Sequence, residues 1–245
     1  MTFVHLIHHL TIYSLNSYNN YNKPIFYVEK IGNVTVIAGN TAKLHCAIKL
    51  VKKQTLHKYL FDQIRVAWLK LESQTIISFQ QNLIVRNSRM NITANDLGNV
   101  WTLIIRSVTP KDDGFYMCQI NSDPPSKSAG YLEILTHPKI IDRLTSNETI
   151  VSEYSNILLR CEATGNPPPN ISWAKFHNLY QFTHKQKFID STISHKKNAI
   201  FNSANSNMLI LNNITRFQAG IYVCLADNGI PPAVSRQISV NVNCK

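Results

Sequence analysis

Asp112-Asp113-Gly114-Phe115-Tyr116-Met117-Cys118 and Gln218-Ala219-Gly220-Ile221-Tyr222-Val223-Cys224 share one layout: a glycine, a tyrosine two places on, and a cysteine two places after that. A tyrosine so placed returns its hydroxyl to the main chain a few residues upstream and pins the turn that leads into a strand. Working back along the chain, Cys46 and Cys161 stand far upstream of Cys118 and Cys224, and a tryptophan follows each of them, Trp68 and Trp173. Spacings this long suit neither CxxC zinc sites nor thioredoxin motifs, but they do suit a bridge joining two facing sheets. The expected pairs are Cys46 with Cys118 and Cys161 with Cys224. Each closed loop should contribute about 4 kcal/mol on the chain-entropy account. Disulfides that persist imply an oxidising compartment, hence a secreted or cell-surface chain.

The segments between these landmarks alternate with period two. Lys43-Leu44-His45-Cys46-Ala47-Ile48, Arg65-Val66-Ala67-Trp68-Leu69, Trp101-Thr102-Leu103-Ile104-Ile105 and Tyr131-Leu132-Glu133-Ile134 read as strands with one buried face. Turn signals separate them and no long amphipathic helix intervenes, so the class is all-β, with antiparallel sandwiches or barrels rather than βαβ units. The chain has 245 residues, 44% hydrophobic and 16% charged, which excludes disorder over its whole length and leaves room for two domains. No run of about 18 apolar residues occurs, so no transmembrane helix is expected in this chain. The formal net charge of +11 favours acidic partners without naming one.

The second unit reads Cys161-x-Ala163-x-Gly165-x-Pro167-x-Pro169-x-Ile171-x-Trp173, then Cys224-x-Ala226-x-Asn228-Gly229. This pattern resembles the I-set domains of the immunoglobulin superfamily. The first unit has the longer gap between cysteines, enough for additional C' and C'' strands, and looks V-like. The resemblance implies two tandem immunoglobulin-like β-sandwiches, V-like over residues 25–136 and I-set over 137–245. It also implies that Arg89 pairs with Asp112 at the base of the first sandwich. In the second, Gln218 stands where the family has Asp, so the corresponding salt bridge is not expected. Ile31-Gly32-Asn33-Val34-Thr35-Val36, Gln74-Thr75-Ile76-Ile77-Ser78 and Tyr116-Met117-Cys118-Gln119-Ile120-Asn121-Ser122-Asp123-Pro124 are similar to the lachesin, Dpr-interacting and IgLON group. That likeness implies surface proteins of three such domains, commonly lipid-anchored, that join cells, chiefly neurons, by contacts with themselves or with relatives.

In that group the contact surface is the outward face of the first domain's C, C', F and G strands. With Val66, Trp68, Tyr116, Cys118 and Ile120 inside, alternation turns Arg65, Ala67, Leu69, Met117, Gln119 and Asn121 outward, and Ile77 and Phe79 are placed beside them on C'. Ala67, Leu69, Ile77, Phe79, Met117, Gln119 and Asn121 therefore form the expected partner-binding set. A strand register one residue different would turn them into core instead.

Five sequons, Asn33, Asn91, Asn147, Asn170 and Asn213, are candidate glycosylation sites. The basic stretches Lys52-Lys53, His57-Lys58, His184-Lys185-Gln186-Lys187 and His195-Lys196-Lys197 read as solvated loop charge or as a glycosaminoglycan site. Without aromatic ladders they do not suggest nucleic-acid binding. The histidines lack metal-site spacing, and HExxH, GxSxG and phosphate-cradling glycine loops are absent, so neither an enzyme nor a cofactor is expected. Residues 1–24 read as a signal peptide interrupted by histidines or as an unstructured N-terminus from a truncated or mispredicted first exon. Cys244 reads as an intermolecular thiol or as the odd cysteine of an incomplete gene product that stops near a domain boundary. The rival functions are a growth-factor-receptor ectodomain assisted by heparan sulfate and a soluble pathogen-binding immune protein.

Overall fold

Alternation along Ala42–Leu50 decides the first sandwich: Ala42, Leu44, Cys46 and Ile48 are buried, while Lys43 and His45 between them are exposed. The same period buries Trp101, Leu103 and Ile105 on the partner strand. The computed structural model describes residues 25–51, 61–176, 200–201 and 206–243. Residues 1–24, Cys244 and the four basic stretches lie outside the described residues.

In the first sandwich, β1 (Phe26–Val28), β3 (Ala42–Leu50), β8 (Val100–Ile105) and β7 (Met90–Ala94) form one sheet in that order. The facing sheet runs β10 (Ser126–Ile140), β9 (Gly114–Ile120), β4 (Val66–Lys70), β5 (Thr75–Phe79) and β6 (Asn82–Leu83). β2 (Val34–Ile37) joins β10 in parallel, Val34 opposite Leu132. Cys46 on one sheet is bonded to Cys118 on the other across a Cα–Cα distance of 6.1 Å, with Trp68 fully buried in the register position opposite Cys118. Before β9, Asp112 caps a short 3-10 turn (Pro110–Asp112): its Oδ2 accepts from Thr109 N at 2.8 Å and Thr109 Oγ1 at 2.9 Å.

The second sandwich repeats the scheme. β11 (Thr149–Ser152), β18 (Val234–Asn243), β17 (Gly220–Asp227), β14 (Asn170–Phe176) and β15 (Ile200–Phe201) make one sheet. β12 (Ile157–Arg160) pairs with β16 (Met208–Leu211) in the other, and β13 (Ala163–Asn166) pairs with the end of β10. Cys161 is bonded to Cys224, Cα–Cα 6.4 Å, and Trp173 lies opposite Cys224. The Trp173 indole donates to Ser206 O at 3.1 Å.

The tyrosine device is present in full here. Tyr222 is buried, its hydroxyl donates to Gln218 O at 2.8 Å, and burial pushes its pKa up to about 12. Gln218 takes over the capping role that Asp112 plays in the first sandwich, accepting from Thr215 N at 2.9 Å through its neutral amide oxygen. The charge that Gln218 lacks is supplied elsewhere at this end. Glu153 receives Arg216 Nε at 3.1 Å, Arg216 Nη2 at 2.9 Å and the Arg216 main-chain N at 3.1 Å, and these bonds hold its carboxyl below the usual carboxylate range. Lys175 sits over the Tyr222 ring and donates to Phe217 O at 3.0 Å; burial lowers its pKa.

Candidate binding face

The outer face of the β9–β4–β5 strands is laid out by regular pairing. Because Trp68 and Cys118 oppose each other and point inward, the neighbouring pairs, Ala67 with Gln119 and Leu69 with Met117, must point outward. Three cross-strand rows result. Gln119, Ala67 and Phe79 make the first, and Met117, Leu69 and Ile76 the second. In the third, Leu71 N donates to Phe115 O at 2.9 Å, bringing Leu71 beside Phe115.

Phe79 is 46% exposed, Phe115 47% and Leu71 39%, while Ala67, Ile76, Met117 and Gln119 are half-buried. Ile84, 57% exposed, continues the apolar surface past β6: its N–H donates to Ile77 O at 2.8 Å. The ends of the face are tied down. At one end Asn121 Oδ1 accepts from Arg65 N at 2.8 Å, so the Asn121 side chain is engaged in holding β4 to β9. At the other, Glu72 Oε1 accepts from Phe115 N at 2.6 Å. Gln80, just past Phe79, accepts from Val66 N at 3.1 Å and donates to Ile64 O at 3.0 Å, acting as a short extra rung that fixes where β5 ends.

Two expected members of the face are corrected. Ile77 is buried, at 2% exposure. Trp68 lies opposite Ser78 and Leu69 opposite Ile76, so Ile77 is the extra residue of a β-bulge, and the parity of β5 changes on either side of it. Phe79 stays outward, and Ile76 takes the position assigned to Ile77. Leu69 keeps its outward parity but is only 7% exposed, since it lies between Met117 and Ile76 in register and is covered by them. Phe115, Leu71, Ile76 and Ile84 were not anticipated. Phe115 was within reach, because it precedes Met117 by two residues and so shares its face.

Among the sequons, Asn33, Asn147, Asn170 and Asn213 are exposed, and Asn91 is half-buried on β7. Asn33 Oδ1 accepts from Tyr131 N at 3.1 Å, and Asn147 Oδ1 from Arg236 Nη2 at 2.8 Å. No helix among the described residues is long and apolar enough to cross a membrane.

A sandwich with paired β2 and β10, a C' and C'' hairpin and a central cysteine–tryptophan core is a V-set architecture, and residues 30–134 match the immunoglobulin V-set domain. Residues 137–228 match the immunoglobulin domain. The chain belongs to the immunoglobulin superfamily. It is homologous to lachesin of Schistocerca americana, 25% identical over 214 residues, which cover 83% of this chain and 53% of that protein. It is likewise homologous to the limbic system-associated membrane protein of Rattus norvegicus, 28% identical over 86% of this chain and 52% of that one. The chain thus spans about half the length of these relatives. In structure it is similar to DIP-gamma Ig1+Ig2, with a TM-score of 0.71 and 30% identity over 90% of this chain and 99% of that one. A chain of the solved complex of Dpr11 Ig1 with two-domain DIP-gamma is similar as well, with a TM-score of 0.68 at 29% identity, again over 90% of this chain and 99% of that one.

Proposed function

We propose that this protein is an extracellular recognition and adhesion molecule that binds another immunoglobulin-superfamily surface protein, itself or a relative, through the outer face of β4, β5 and β9, in neural cell contact. The observation that carries the reading is the concentration of exposed Phe79, Phe115 and Leu71 on one sheet face. A soluble domain spreads exposed apolar side chains singly over its surface, and several large ones on one flat sheet face mark a partner. The relatives favour the same class of partner, since DIP-gamma has been solved bound to Dpr11 Ig1. Phe79 and Phe115 are the anchors, because large exposed aromatics that a partner covers carry most of the energy of a contact. Ala67 leaves shallow ground between Gln119 and Phe79, and Met117 supplies an adaptable side chain beside it. Single contacts of moderate strength suffice when many act between two membranes.

The test is a binding screen of the secreted chain against a panel of immunoglobulin-superfamily ectodomains that includes the chain itself. The expected result is at least one partner whose binding is lost with Phe79→Asp while the variant stays folded. A panel without any partner, or a partner bound equally by Phe79→Asp, refutes the reading.

A further inference from the structure

A second surface feature lies on the other sandwich. On β14, Ile171 and Trp173 are buried, while Asn170 and Ser172, which alternate with them, are exposed. On β17, Cys224 and Ala226 are buried, which turns Leu225 and Asp227 outward. In register Asn170 faces Asp227 and Ser172 faces Leu225, so the four form a square on the outer face. Pro167 and Pro168, which lead into β14, and Asn228 and Gly229, which follow β17, close one end of this square, and together these residues line a hollow of about 430 Å3. That volume lies within the roughly 300–1,000 Å3 of small-ligand clefts.

The walls are held by the protein's own bonds. Asn228 Nδ2 donates to Pro167 O at 2.8 Å and to Thr136 O at 2.9 Å, its Oδ1 accepts from Ile230 N at 3.1 Å, and Asp227 Oδ1 accepts from Gly229 N at 2.8 Å. Gly165 backs the wall so closely that a Cβ there would stand 2.9 Å from Asn228 Nδ2. A preformed hollow loses little freedom when it is filled.

Asn170-Ile171-Ser172 is a sequon, and it stands at the rim of this hollow, whose lining includes none of the other four sequon asparagines. We propose that Asn170 carries an N-linked glycan whose first N-acetylglucosamine lies in the hollow. The CH-rich face of that sugar packs on Pro168 and Leu225, and its hydroxyl and acetamido groups bond to Asp227 and Ser172. The attachment uses a lipid-diphosphate-linked oligosaccharide. The Asn170 amide nitrogen forms a bond to the anomeric carbon, the carbon–oxygen bond to the diphosphate breaks, and the amide proton leaves with the departing lipid diphosphate. Tethering at the rim presents the sugar at high effective concentration, so modest contacts hold it in place. The glycan covers the outer face of β14 and β17 and leaves partner binding to the first sandwich. The inference rests on the extracellular reading.

The experiment expresses the chain with a secretory leader in insect cells. Site occupancy is read by peptide mass spectrometry, and native release of each glycan by peptide-N-glycosidase is followed in time. The expected result is an occupied Asn170 released several-fold more slowly than Asn213, with the difference erased in Leu225→Ser. Ser172→Ala should lose the Asn170 glycan and lower the thermal midpoint by a few degrees, whereas Ser172→Thr should keep both. An empty Asn170 beside occupied Asn33, Asn147 and Asn213, or release as fast as from Asn213, overturns this proposal alone. If all five asparagines stay bare in secreted protein, the proposal and the extracellular reading fall together.

Discussion

Phe79 and Ile77 are two residues apart on one strand, so simple alternation gives them the same role, and the bulge gives them opposite ones. A phenylalanine side chain presents roughly 150–250 Å2, and with 46% of Phe79 in solvent about 90 Å2 remains for a partner to cover. At about 25 cal/mol per Å2 that is about 2 kcal/mol, or a complex roughly thirtyfold weaker for Phe79→Ala. Ile77, at 2% exposure, has nothing left to give a partner. Its truncation to alanine should instead cost folding about 2–5 kcal/mol. The assay pairs the dissociation constant of the complex, by surface plasmon resonance, with urea unfolding of each variant. Ile77→Ala should unfold at lower urea yet bind normally at concentrations where it is folded. If Ile77→Ala weakened binding while its unfolding midpoint stayed put, the bulge and the face built on it would both be wrong.

The Glu153–Arg216 pair gives the second sandwich an acid limb. The Glu153 carboxyl is held below its ordinary value, so its contribution is present above the unfolded-state pKa and is lost as pH falls through the lower folded one. Glu153→Gln should flatten the decline in stability between neutral pH and pH about 3 in urea titrations. Tyr222 acts at the other end of the scale. Because burial raises it to about 12, the folded state favours the protonated phenol, and stability should drop as pH climbs from about 10 towards that value. Tyr222→Phe should remove this alkaline drop and, by deleting the bond to Gln218 O, cost about 1 kcal/mol at neutral pH. In the first sandwich Ser78 Oγ is fully buried and has no hydrogen-bond partner among the described residues, and the same holds for the indole N–H of Trp68 in the register position opposite. Ser78→Ala should therefore be neutral or stabilising by up to about 1 kcal/mol in thermal melts, and a loss of that size would show that the hydroxyl has a partner.

The sandwich architecture was legible because its determinants are chemical and periodic. The cysteine pairs, Trp68 and Trp173 appear in the order that two facing sheets require, and Leu44, Cys46 and Ile48 alternate with Lys43 and His45. The face was legible wherever a strand carries a cysteine or tryptophan to fix its parity, as β4 and β9 do. It was illegible on β5, where a single inserted residue leaves no compositional trace and pairing with β4 alone reveals it. Leu69 shows the other limit. Parity gives a direction, but exposure depends on which cross-strand neighbours are bulky, here Met117 and Ile76. The base of the second sandwich was hidden for a similar reason: the missing acid at Gln218 was visible, while its replacement by Glu153 and Arg216 joins residues far apart in the chain.

Hydrogen exchange of the secreted chain, alone and saturated with the partner found in the screen, addresses the contact face itself. Slowed exchange is expected at residues 66–84 and 115–121, with β12 and β16 of the second sandwich unchanged. Protection confined to the second sandwich, or to β3 and β8 of the first, would contradict the assignment.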